Sequence, residues 1–129
     1  MIIEMLPLKL SLESSKSVTD GTYEYYYSEA LGDGLEGELR NVCLKAPSAT
    51  GTDVGEVGIY RMNQHMPLLY RADFFTPKGL QLGAKVPVYG GERIYAKITG
   101  TAVDGDVELE AVGYSWPAEP EEAGKPESP

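Results

Sequence analysis

Large side chains of one kind recur at every second position in stretch after stretch of this chain. That period is the signature of half-buried strands, because successive strand residues point to opposite faces. Leu6, Leu8, Leu10 and Leu12 alternate with Pro7, Lys9, Ser11 and Glu13. Pro7 lacks an N–H for a sheet ladder, so this first strand belongs at an edge. Thr22–Ser28 places Tyr23, Tyr25 and Tyr27 on one face and Glu24 and Tyr26 on the other. Glu38–Ala46, Val54–Arg61, Leu68–Phe75 and Leu80–Tyr89 continue the series, the last interrupted by Pro87, and Gly55 and Gly58 mark a bulge. Residues 29–37, 47–53 and the Gly90-Gly91 pair read as turns. No stretch shows the helical period.

The last pair of strands carries the most specific expectation. Asp104-Gly105 is a favoured pair for a two-residue type I′ turn, in which both central residues need positive φ. With that loop, Val103 faces Asp106. Ile94, Ala96, Ile98, Gly100 and Ala102 then share one face with Gly113, Ala111, Leu109 and Val107. Lys97, Thr99 and Thr101 take the other face with Val112, Glu110 and Glu108, with Tyr95 opposite Tyr114 and Lys97 diagonal to Glu110. A slip of one residue would put Glu108 and Glu110 on the apolar face. Fifteen Gly, nine Pro and nine Tyr in 129 residues suit many short strands and frequent turns. The expected fold is all-β, an antiparallel β-sandwich of about seven or eight strands, jelly-roll or immunoglobulin-like. One domain over residues 1–116 is followed by a Pro/Glu-rich extended tail over 117–129.

Charge narrows the partners. Twenty acidic residues against eleven basic ones give a formal charge of −9. Nucleic-acid affinity rests on Lys and Arg displacing phosphate counterions, so neither nucleic acid nor an anionic membrane is an expected partner. Cys43 is the only cysteine, read as a small buried hydrophobe, and the lack of disulfides favours a reducing compartment. The opening MIIEMLPLKLSLE has no basic region or cleavage site, so secretion by a signal peptide is not expected. No apolar run reaches the length of about 20 residues that spans a bilayer as a helix.

Catalytic and metal motifs are scarce. His65 is the only histidine, in the loop-like RMNQHMP, and reads as a polar turn residue. Zinc spacing, a GxSxG elbow and phosphate-binding glycine loops do not occur. Asp33-Gly34 and Asp104-Gly105-Asp106 lack the ligand positions of a calcium loop. Two acids at glycosidase separation arise readily by chance among twenty. The expectation is therefore no enzyme, no cofactor and no metal. A small jelly-roll hydrolase or isomerase stands as the minor reading.

The remaining features point outward. Met1, Ile2 and Ile3 expose apolar bulk unless a partner or the sheet covers them. Tyrosines on both faces of Thr22–Ser28 put at least one ring outside the core, and tyrosine suits interfaces because it brings large area at little rotamer cost. Tyr60, Tyr70, Phe74 and Phe75 read as core. The tail PAEPEEAGKPESP has nothing that could enter a core, and its composition favours a polyproline-type or disordered chain. The candidate contact residues are Met1, Ile2, Ile3, Tyr25, Tyr26, Trp116, Pro117, Pro120 and Pro126. Residues 1–5 and 117–129 are expected to touch neighbouring subunits.

The stretch GLQLGAKVPVYGGERIYAKITGTAVDGDVELEAVGYSW, residues 79–116, resembles the closing half of small β-sandwich proteins of tailed bacteriophages. These include capsid decoration (cement) proteins and some fibre head domains. The resemblance lies in a strand, a Gly-rich turn, a strand opening on Arg93-Ile94, a DG hairpin and a return strand ending in Gly113-Tyr114. It implies a structural virion protein, assembled in the host cytoplasm, that binds the outside of a capsid and stabilises it, commonly as a homotrimer. The alternative is a carbohydrate- or receptor-binding module, as on a fibre or tail tip, in which sugars stack on Tyr25, Tyr26 or Trp116.

Overall fold

The structure is a computed structural model, and it describes residues 5–14, 22–45, 53–74, 80–83, 85–100 and 107–118. All regular structure among these residues is strand: β1 Leu6–Ser14, β2 Thr22–Tyr27, β3 Leu35–Lys45, β4 Asp53–Arg61, β5 Gln64–Phe74, β6 Leu80–Leu82, β7 Val86–Tyr89, β8 Arg93–Gly100 and β9 Val107–Pro117. Every pairing is antiparallel. One sheet runs β1-β9-β3, with β6 and β7 both on the far side of β3; the other runs β2-β8-β4-β5. Because β6 and β7 meet different parts of β3, at Val42–Leu44 and at Glu36–Leu39, they act as one interrupted edge strand. Each sheet is thus four strands wide.

The two sheets enclose a single core. Leu10, Leu39, Val42, Leu44, Val88, Leu109 and Ala111 come from the first sheet, and Tyr26, Val57, Ile59, Ile94, Ala96 and Ile98 from the second. Period two is the reason each strand contributes alternate residues, as β9 does with Val107, Leu109 and Ala111. Pro7 lies on edge strand β1, where a missing N–H breaks no ladder. The bulge expected around Gly55 and Gly58 is present, with register shifts between β4 and β5 at both places.

Three expectations are corrected. The 94–113 hairpin does not form: β8 pairs with β2 and β4, while β9 pairs with β1 and β3. Ile94, Ala96 and Ile98 face Val107, Leu109 and Ala111 across the core, so Tyr95 is not beside Tyr114, and Glu110 pairs with Lys9 at 3.1 Å. The Asp104-Gly105 turn lies outside the described residues. Second, β3 starts at Leu35, inside the expected loop, and β9 runs one residue past the boundary set at Trp116, with the Ala118 N–H donating to the Gly34 carbonyl at 2.8 Å. Third, Cys43 is half-buried, on the outer side of its sheet beside Glu110, and is not a core residue.

One end of the sandwich is clamped by a buried carboxylate. Glu92, 8% exposed, accepts from both the Nε and Nη2 of Arg61, and its Oε1 also accepts from the Tyr89 N–H at 2.9 Å. The Tyr89 ring lies 5.5 Å from the same guanidinium. This ties the β4–β5 turn to the β7–β8 turn, and so one sheet to the other.

Candidate functional site

The inner side chains of the β2-β8-β4-β5 sheet leave an outer set fixed by alternation. Register sets Tyr25 beside Lys97 and Tyr27 beside Tyr95; next come Glu56 beside Lys97 and Gly58 beside Tyr95, then His65 beside Tyr60. The outcome is an aromatic cluster of Tyr23, Tyr25, Tyr27, Tyr60, His65 and Tyr95 on the outside of one sheet.

The rings pack on one another. Tyr25 stacks on His65 with centroids 4.1 Å apart and planes 19° off parallel, and on Tyr27 at 6.1 Å and 17°. Tyr60 closes the far side, 5.2 Å from Tyr27 and 4.8 Å from His65. Tyr95 forms the floor: His65 meets it edge-on at 4.7 Å, and its ring is 0% exposed although it points away from the core. Gly58 makes room for that ring, because a Cβ there would sit 2.8 Å from Tyr95 Cε1. Tyr23 stands at the margin, 57% exposed and edge-on to Tyr25. The Lys97 ammonium lies 4.7 Å from the Tyr23 centroid and 5.4 Å from that of Tyr25, within cation–π range.

Hydrogen bonds hold the cluster in register. The Tyr27 hydroxyl and His65 Nε2 share one at 2.8 Å, with its direction set by the imidazole tautomer. The Tyr95 hydroxyl donates to Glu56 Oε2 at 2.5 Å. Burial pushes the Tyr95 phenol far above its ordinary pKa, and the bond to Glu56 adds to the shift. Burial also raises Tyr27, helped by Tyr60 and Tyr25. Both phenols therefore stay neutral hydrogen-bonding groups at physiological pH. The cluster is a stiff, polar-tipped surface whose ring faces are largely covered by each other. Its chemistry is that of contact: hydroxyls, ring edges, and one ammonium held over two rings. Among the described residues, no group of three or more His, Cys, Asp or Glu is placed to hold a metal ion.

Of the residues singled out from sequence, Tyr25 sits in this cluster. Tyr26 does not: at 3% exposed it belongs to the core, so it offers no ring to a partner. Trp116 is half-buried on β9 and Pro117 is exposed at that strand's end, both on the other sheet. Tyr25 thus lies on the outside of one sheet, Tyr26 in the core and Trp116 on the other sheet, and the three form no common platform. Met1, Ile2, Ile3, Pro120 and Pro126 lie outside the described residues. His65 is a strand residue of β5, packed among four tyrosines and not in a turn; Tyr60 is in the outer cluster and not in the core.

The outer face of the first sheet is more charged. A shallow depression of about 570 Å³ lies among Pro7, Lys9, Arg40, Val112 and Tyr114, with the Arg40 guanidinium 5.9 Å over the Tyr114 ring. Lys9 and Arg40 are already paired with Glu110 and Glu38. No protein-family model, curated protein or solved structure matches the chain.

Proposed function

We propose that this chain is a non-enzymatic structural protein that attaches to other protein subunits through the tyrosine face of β2-β8-β4-β5, decorating the outside of a phage-type capsid. The observation carrying this reading is that six aromatic rings form a pre-packed cluster on the outer side of a sheet, where the fold itself needs none. Tyrosine-rich, pre-organised patches are what tight protein contacts are built from, because little side-chain freedom is lost on binding. A jelly-roll form of the sandwich fits the same role. Nearly every step along the chain crosses from one sheet to the other, and only β4–β5 and β6–β7 stay within one, which supports the double Greek key over an immunoglobulin-like order. A protein that binds only the assembled shell stabilises it by linkage, by about 3 kcal/mol per site at a free concentration near 100 Kd.

Sedimentation of the purified chain with mature capsids of the phage that encodes it tests the proposal. The chain is expected to pellet with the capsids, and Tyr23→Ala, at the exposed margin, to weaken binding by tenfold or so. No co-sedimentation, or full binding by Tyr23→Ala combined with Tyr25→Ala, overturns it. The carbohydrate reading has one observation in its favour: Tyr23 leaves more than half of its surface open beside the Lys97 ammonium. A glycan array bound by the native chain and lost in Tyr23→Ala would favour that reading instead.

A further inference from the structure

Resting on the tyrosine face as a contact surface between subunits, we infer that in the free protein its occupant is the Pro/Glu-rich segment 119–129 of a second copy of this chain. Four observations meet here. Segment 119–129 holds Pro120, Pro126 and Pro129, separated by steps of six and three residues. A polyproline II chain turns once every three residues, so each step sets its prolines on one side, and such chains dock on aromatic-lined surfaces. The tyrosine face offers rings to such a chain at its margin, where Tyr23 is exposed and Tyr25 half-buried beside it.

Charge agrees. Segment 119–129 carries Glu119, Glu121, Glu122 and Glu127 against Lys125. The face holds the Lys97 ammonium over Tyr23 and Tyr25 and Arg93 exposed at its margin, two cations against the one carboxylate of Glu56, which is bonded to Tyr95. The point of departure also agrees. Ala118 is bonded to Gly34, in the loop that follows Tyr27, so the segment begins at the end of the sandwich where Tyr27, Tyr60 and His65 lie.

Direction selects a second copy over the chain's own face. To return onto its own second sheet, the backbone would have to reverse at once around the end of the sandwich. β9 keeps its ladder to Pro117 and the Ala118 N–H still bonds to Gly34, so the chain leaves the sandwich heading outward along the line of β9. The eleven residues beyond Ala118 span about 34 Å at a polyproline rise of roughly 3.1 Å, enough to cross a neighbour's four-stranded face. A contact of tail to face joins two different patches, so it closes into a reciprocal two-fold pair or a ring, or else propagates.

Sedimentation velocity on the full chain from about 10 µM to about 1 mM tests this. Self-association rising with concentration is expected. Two variants should each be monomeric alone: Tyr23→Ala with Lys97→Glu on the face, and Pro120→Ala, Pro126→Ala and Pro129→Ala in the tail, both with thermal melts close to the native one. Mixed, they should form a heterodimer, because one supplies an intact tail and the other an intact face. A native chain that stays monomeric, or a tail variant that associates as the native chain does, overturns the inference and leaves the tyrosine-face reading standing. A face variant that associates at native strength likewise overturns the inference, while capsid co-sedimentation decides the tyrosine-face reading separately.

Discussion

Gly58→Ala isolates the physical feature on which the tyrosine cluster depends. A Cβ at position 58 would lie 2.8 Å from Tyr95 Cε1 and 2.9 Å from the Met66 carbonyl carbon, and closer still to the Met66 carbonyl oxygen. Comfortable carbon contacts begin near 3.5 Å, so something must move by roughly 0.7 Å or more. Tyr95 cannot yield, because its ring is wedged beneath Tyr25 and His65. The carbonyl belongs to β5, which among the described residues is an edge strand paired with β4 alone, so relief comes from β5 lifting away and weakening its ladder. Overpacking of this kind costs about 1–3 kcal/mol, and with backbone as the obstacle we expect the upper end, about 3 kcal/mol. For a domain of this size that lowers Tm by roughly 12 °C. Gly83→Ala is the control, since a Cβ there meets nothing within 4 Å. Urea and thermal unfolding followed by far-UV circular dichroism would measure both, with the near-UV tyrosine signal reporting the cluster. A Gly58→Ala melt within about 2 °C of the native one, or an equal loss for Gly83→Ala, would show that β4, β5 and Tyr95 are not packed as described.

Three further outcomes are expected. Glu92→Ala removes the acceptor of both Arg61 and the Tyr89 N–H and should cost about 2–3 kcal/mol in urea denaturation; Glu92→Gln keeps an oxygen for Tyr89 and should lose roughly half as much. Met62 and Asn63 form a two-residue turn with φ of 53° and 61°, so Met62→Asn with Asn63→Gly, the favoured pair for that geometry, should raise stability by about 0.5–1 kcal/mol in the same assay. Tyr95 and Tyr27 hold their protons above the ordinary phenol range, which the unfolded chain titrates near pH 10. The unfolded state then binds fewer protons than the folded one, so stability is complete below about pH 10 and falls as pH rises beyond it. Absorbance at 295 nm should show part of the tyrosine signal, that of Tyr95 and Tyr27, appearing only as the protein unfolds; full ionisation of both near pH 10 in folded protein would contradict the packing.

Fold class was legible in the sequence because alternation is a local property. Leu6–Leu12 and Tyr23–Tyr27 declare their faces without reference to any partner, and both are strands in the expected phase. Partnership is not local. Ile94, Ala96 and Ile98 must meet Val107, Leu109 and Ala111 on their apolar sides whether the two strands lie side by side or face each other across a core. Parity therefore tested the phase of β8 and β9 and was blind to which sheet each joins. The turn chemistry of Asp104-Gly105 could not supply the difference. The same limit hid the β4–β5 hairpin: Met62 is a poor residue for positive φ, so the turn carried no composition signal and His65 read as loop.

Tyr95 shows why the site needed three dimensions. Its neighbours Ile94 and Ala96 point into the core, so alternation sends Tyr95 outward, and an outward tyrosine reads as ordinary surface. Its complete burial there means that the outer face has a small interior of its own, floored by Tyr95 over Gly58 and roofed by Tyr25 and His65. A sandwich is held together by its inner faces; rings stacked outside them add stiffness to one surface. Stiffness at a surface matters most where a partner will land, because side chains already ordered lose less entropy on contact. That is also why Tyr25 could be singled out from sequence while Tyr60 and His65 could not. Tyr25 belongs to a visible run, whereas the other two enter through a two-residue turn and the cross-strand register that it sets.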